Sequence, residues 1–83
     1  MRKTIYTNEY AIVLRLLRDA RRDAGLTQTE LAKKLKQSQS FVTKVERGDR
    51  RLDIIQLRTI CQTFGLTLAD FVSRLEKALR SPK

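Results

Sequence analysis

Apolar residues recur along most of the chain at helical spacing. Tyr10, Val13, Leu14, Leu17 and Ala24 trace one face of a first helix, predicted from about Asn8 to Ala24, with Thr7 or Asn8 as its cap. Ile12 and Leu16 lie beside that face, so the stretch AIVLRLL is broader than a one-sided helix needs. That extra width serves either a wide core contact or an edge that meets a second subunit. Leu31, Ala32 and Leu35 make a narrower strip, and Val42 with Val45 a narrower one still. Ile54, Leu57, Ile60, Cys61 and Phe64 predict the buried face of a fourth helix, and Phe71, Val72, Leu75 and Leu79 that of a fifth. Phe71 and Val72 are expected to pack on the core. Leu75, Ala78 and Leu79 continue past what four short helices can cover. They suit a dimer contact, or packing against the N-terminal arm through Ile5 and Tyr6. No apolar–polar alternation flanked by turn signals argues for a strand, so the expected class is all-α.

Capping residues place the boundaries. Thr27 and Glu30 form a T-x-x-E capping box, with Leu26 and Leu31 as the hydrophobic staple around it. Ala32 sits where a partner helix would cross, and its small side chain permits close approach. Ser38 can cap the third helix and Asp53 the fourth. Thr67 and Asp70 repeat the capping logic at the fifth, with Leu66 able to staple to Phe71. Gly25, Gly48 and Gly65 each follow a helical pattern, as C-terminal caps do.

The third helix is unusual for its polar face. Gln39, Ser40, Thr43, Lys44 and Arg47 step i, i+1, i+4, i+5, i+8 and so share one stripe. Such side chains match base edges and phosphates: Gln pairs with adenine, Ser with several bases, Lys and Arg with guanine or the backbone. Asp49, Arg50 and Arg51 follow in a loop, where Arg50 and Arg51 are phosphate candidates and a solvated basic loop is the alternative.

Composition sharpens this picture. In 83 residues, eighteen Lys and Arg against nine Asp and Glu leave a net charge of +9. The excess is concentrated in residues 1–51, where thirteen basic and six acidic groups give +7, while residues 52–83 hold five and three, giving +2. The basic part contains the polar helix, which fits a polyanion partner better than a generally lysine-rich surface. The chain holds no histidine and one cysteine, Cys61. That leaves no intrachain disulfide, no usual zinc set and no Ser–His or Cys–His pair, so neither metal nor cofactor is expected and an enzyme is the weakest reading. Cys61, between Ile60 and Phe64, reads as a small buried apolar side chain. No apolar run approaches the ~20 residues of a membrane span, and MRKTIYTNEY lacks the signal-peptide pattern. A reduced, cytoplasmic setting is expected. So is a single small domain over 1–83, with an arm at 1–7, a helix-turn-helix at 27–47 and a C-terminal helix at 67–80.

The string L-T-Q-x-E-L-A, followed by S-Q-S-x-V-x-K-V-E-R-G, resembles the helix-turn-helix of the phage repressor and Cro family, the Xre type. The resemblance covers about residues 14 to 72. It extends downstream through Leu57, Ile60, Phe64-Gly65-Leu66-Thr67 and Asp70-Phe71, where that family's fourth and fifth helices carry core and cap residues. It implies a compact five-helix, lambda-repressor-like domain, with helices 2 and 3 as the DNA-binding unit, usually dimeric. Gln28 matches a phosphate-holding position, Gln39 and Ser40 match base-contacting ones, and Arg47 a backbone-contacting one. Lys44, one turn on, points into the same groove. Thr43 offers either its methyl to thymine or its hydroxyl to phosphate. Arg21 and Glu46 match a partly buried ion pair that joins helix 1 to the end of helix 3. Two positions depart from the pattern. Where the family often has Gly and then an apolar residue, this chain has Lys36 and Gln37, so Lys36 needs positive φ or a different turn.

The expected function is sequence-specific binding of double-stranded DNA by a transcriptional regulator, a repressor acting as a homodimer on an inverted-repeat operator. The same fold would also serve the antitoxin of a toxin–antitoxin pair, with a toxin as protein partner, or a restriction–modification controller. A helical protein-interaction domain with no specific DNA target is the remaining alternative.

Overall fold

The computed structural model describes residues 8–80, so the arm at 1–7, including Ile5, Tyr6 and the cap candidate Thr7, lies outside the described residues. The described chain forms α1 (Asn8–Asp23), α2 (Gln28–Leu35), α3 (Gln39–Arg47), α4 (Ile54–Thr63) and α5 (Leu68–Arg80). Among the described residues there is no strand. The caps act where their chemistry predicts. Thr27 accepts from the Glu30 amide while Glu30 returns a bond to the Thr27 N–H, Ser38 accepts from Phe41, and Thr67 and Asp70 repeat the reciprocal pair at α5. Asp53 adds a further reciprocal box at α4, with Gln56 as its partner.

The ends of α2 and α3 show one motif built with two different residues. At Gly48 (φ 86°) the N–H bonds Val45 O at 3.1 Å, and the next N–H, of Asp49, reaches Lys44 O at 2.9 Å. Lys36 does the same at φ 58°, bonding Lys33 O at 3.1 Å, with Gln37 N–H on Ala32 O at 2.9 Å. Both are Schellman turns, but a lysine in the left-handed region carries a Cβ penalty of about 1 kcal/mol that glycine avoids. The departure from the family pattern thus changes the cost of the turn and not its shape. Gln37 is exposed, so its polarity meets water.

α2 and α3 pack on each other, α1 lies against α3 and α5, and α4 bridges α2 and α5. Leu17, Val45, Ile60, Cys61 and Phe71 form the centre, each at most 5% exposed. Leu31, Ala32 and Val42 make a second buried group between α2 and α3, joined to the first through the half-buried Leu35, Phe41 and Phe64. Ala32 is 3% exposed, and its small side chain is what brings the two short helices together.

Three apolar expectations are corrected. Ile54 is 61% exposed, not buried, and its neighbour Ile55 is 66% exposed. The Asp53 cap starts α4 one turn before its face reaches the core, so the first turn projects into solvent. Val72 is 38% exposed, because Phe71 alone fills the inward position on that turn of α5. Ala24 is exposed beyond the end of α1.

Candidate nucleic-acid interface

The polar stripe of α3 exists because the opposite side of the helix is used up. Val42, Val45 and Glu46 face inward and are buried, which turns Gln39, Ser40, Lys44 and Arg47 outward, all exposed, with Thr43 half-buried at the edge. The Ser38 cap sets the register in which Gln39 and Ser40 open the helix.

A polar network seats this helix on the rest of the molecule. Arg21 of α1 donates from Nε to Glu46 Oε2 at 2.7 Å and from a terminal nitrogen to Glu46 Oε1 at 3.2 Å, a two-pronged ion pair with both residues 8% exposed. The other terminal nitrogen of Arg21 donates to the carbonyl of Leu26 at 2.9 Å, tying the pair to the link before α2. Gln28 Nε2 donates to Glu46 Oε1 at 2.9 Å, and Thr43 Oγ1 donates to Gln28 Oε1 at 2.8 Å. The chain Arg21–Glu46–Gln28–Thr43 therefore runs from α1 through α3 and α2 and back to α3. Among the described residues no buried side-chain nitrogen or oxygen lacks a partner, so the network is closed.

These bonds redistribute the roles suggested by sequence. The side chain of Gln28 is engaged at both ends of its amide, so what it turns toward an anion is its backbone N–H and its second amide hydrogen. The hydroxyl hydrogen of Thr43 is spent inward. Gln39 is not free-swinging either: Thr29 Oγ1 donates to Gln39 Oε1 at 3.0 Å across the turn. Among the described residues, Ser40 and Lys44 have no side-chain hydrogen-bond partner and project outward. Arg47 forms an exposed pair with Asp49 at 2.8 Å, worth little in water.

The two loop arginines part company. The Arg50 guanidinium lies 5.0 Å from the ring centre of Phe41, which keeps it beside α3. That of Arg51 lies 4.7 Å from the ring of Tyr10 on α1 and faces an open groove of about 290 Å³ between α1 and α5. Leu75 and Leu79 line that groove with Val13 and Glu9. Ala78, Ile12 and Leu16 are half-buried, Leu16 packing on the main core group. Thr29, Phe41 and Tyr10 were not picked out as interface residues by sequence. Phe41 and Thr29 had one available signal, their places at the junction of α2 and α3; nothing in the pattern pointed to Tyr10 under Arg51.

Comparison with known proteins joins this geometry to a family. The HTH_3 helix-turn-helix family model matches residues 17–71, a span reaching from the middle of α1 to the first turn of α5. A solved XRE-family like protein from Pseudomonas syringae pv. tomato str. DC3000 is 43% identical, with a TM-score of 0.82 over 95% of each chain. The chain belongs to the XRE family of DNA-binding helix-turn-helix regulators. Two structures of the clp gene regulator ClgR from Corynebacterium glutamicum are also similar to this XRE-family chain. One is 27% identical with a TM-score of 0.71, covering 80% of this chain and 70% of that one. The other is 25% identical with a TM-score of 0.72, covering 86% and 91%. Comparison with curated proteins finds no match. Within the described residues, no helix is long and apolar enough to cross a membrane.

Proposed function

We propose that this chain is a transcriptional repressor that binds an inverted-repeat operator as a homodimer, with α2 and α3 as its helix-turn-helix and α3 lying in the major groove. The observation that carries this reading is the exposed row Gln39, Ser40, Lys44 and Arg47, held in one orientation by the Arg21–Glu46–Gln28–Thr43 network. A reading helix needs that combination: exposed side chains that can reach base edges on a backbone that does not rotate.

In this reading Gln39, Ser40, Thr43 and Lys44 meet bases. Gln28, Arg47 and Arg50 hold the sugar-phosphate strands, and Arg51, stacked on Tyr10, adds charge at the edge of the footprint. Arg21 and Glu46 touch no DNA and set the pose of α3. Among the similar structures, the two named as a gene regulator support a role in transcription. A dimer would hold two α3 helices about one DNA turn apart, ~34 Å.

The second copy is assigned to the α5 edge, through Leu75, Ala78 and Leu79 with Ile12 and Leu16 of α1 beside them. Ile54 and Ile55 form a competing apolar patch at the head of α4. Sedimentation of Leu79→Lys and Ile55→Lys separates the two, because only the variant on the true face becomes monomeric.

Selection of bound sequences from a random duplex pool tests the function itself. A palindromic consensus is expected, with half-sites one turn apart, and a reporter driven from a promoter carrying it should fall on expression of the protein. Recovery of no sequence above the starting pool at moderate salt overturns the proposal.

A further inference from the structure

We infer that Thr29, on α2, is a positioning residue for base readout, aiming the amide of Gln39 so that the helix prefers adenine at one base pair of each half-site. The inference rests on the regulator reading above and deepens it.

Thr29 and Gln39 lie ten residues apart on different helices, and both are exposed. Thr29 occupies the second position of α2, where no helical carbonyl lies one turn back to take its hydroxyl. Its hydrogen instead goes to Gln39 Oε1 at 3.0 Å. The donor is stiff, since a β-branched side chain on a helix has few χ1 choices. The acceptor is a long side chain at the opening of α3 that would otherwise sample many rotamers. The bond therefore restrains Gln39 far more than Thr29.

The chemistry of the restrained group follows. One lone pair of Oε1 is taken by Thr29, leaving the second lone pair and both amide hydrogens. The free edge is thus one acceptor beside one donor. Adenine presents the complement in the major groove, an N6 amino donor beside the N7 acceptor. Guanine presents two acceptors, O6 and N7, so Oε1 would face a lone pair. A Gln39 released from Thr29 could rotate to offer only its amide hydrogens to guanine, or its oxygen to a cytosine amino group. Thr29 thus acts on which base is chosen and touches none.

The experiment compares duplexes selected from a random pool by the full chain and by Thr29→Val, Thr29→Ser, Gln39→Ala and the Thr29→Val/Gln39→Ala double variant, with melting temperatures measured alongside. The unaltered chain should prefer adenine over guanine about tenfold or more at one pair per half-site, the discrimination expected of a two-bond contact. Thr29→Val, nearly the same shape without the hydroxyl, should cut that ratio to ~3-fold or less at that pair and leave the ranking elsewhere intact. Thr29→Ser should retain the preference, and Thr29→Val should add nothing once Gln39 is Ala. An undiminished adenine preference in Thr29→Val overturns the inference while leaving the regulator reading standing. So does a uniform loss across all sequences with unchanged ranking, the mark of a purely structural threonine. If the unaltered chain enriches no sequence, both fall.

Discussion

Thr43 illustrates how a single side chain is committed by its neighbours. Its hydroxyl hydrogen goes to Gln28 and its backbone lies on α3, so the groups it retains for DNA are a methyl and an oxygen lone pair. In the regulator reading that favours thymine contact over phosphate donation. Replacing the contacted thymine by uracil should weaken binding about fourfold, the worth of one buried methyl at ~0.8 kcal/mol, and Thr43→Ser should abolish the difference between the two duplexes. Lys36 is a second residue-scale case. Because its φ of 58° falls where glycine is comfortable, Lys36→Gly should raise stability by about 0.5–1 kcal/mol in urea unfolding, offset only by glycine's greater freedom when unfolded. Cys61 is the third. Burial pushes its thiol above the usual 9.0, and the nearby Arg74 opposes this only in part. The folded chain thus keeps the proton that the unfolded chain loses on passing that value. The stability this represents is intact below about pH 9 and declines as pH rises toward the folded value. At neutral pH a thiol reagent should label Cys61 slowly until urea is added, and rapid labelling of the folded chain would contradict its burial.

At the scale of helices, the decisive contact is between α1 and α3. Two short helices of eight and nine residues are too short to hold shape alone. α3 gains its fixed pose from Val42 and Val45 beneath it and from Glu46 locked to Arg21. Removing either charge strands the other in a nearly water-free site, at a cost of ~3–5 kcal/mol. Arg21→Ala should therefore lower the melting temperature by more than about 10 °C. The Arg21→Ala/Glu46→Ala double variant should lose less than the sum of the singles, since no charge is then left unpaired. An unchanged melting temperature in both singles would remove the pair from its structural role. Gln28→Ala should cost less, because its amide bonds are only part-buried, yet it frees the Thr43 hydroxyl and should blur base choice as well as weaken binding.

For the molecule as a whole, charge and dimension set how DNA is met. A net charge of +9 on one chain gives strong, sequence-independent attraction to a duplex. If each copy of a dimer places Arg47, Arg50 and Arg51 on phosphates, about six counterions are released, and the logarithm of affinity should fall against that of salt with a slope near −5. A slope near −1 would mean that the basic surface is not in contact. The described chain measures 35 × 28 × 20 Å. In the proposed dimer, reading helices ~34 Å apart would place each α3 about 17 Å from the dyad, which fits within half of a pair of such bodies set side by side. The apolar groups on the outer faces, Leu75 and Leu79 in the α1–α5 groove and Ile54 and Ile55 at the head of α4, are the surfaces available for that pairing.

Sequence alone determined the helices, their caps and the polar row on α3, because these depend on spacings of three and four residues and on capping side chains within one turn. It also carried the family through the motif, and the family carried the Arg21–Glu46 pairing across twenty-five positions. Tertiary structure decided what each polar group has left to offer. Gln28 bonded at both ends, Thr43 turned inward, Thr29 holding Gln39, and Arg50 and Arg51 drawn to different rings all depend on where separate helices meet. The exposure of Ile54 and Val72 was decided the same way: periodicity says which side of a helix is apolar, but only the neighbouring helices say how far along it the cover extends.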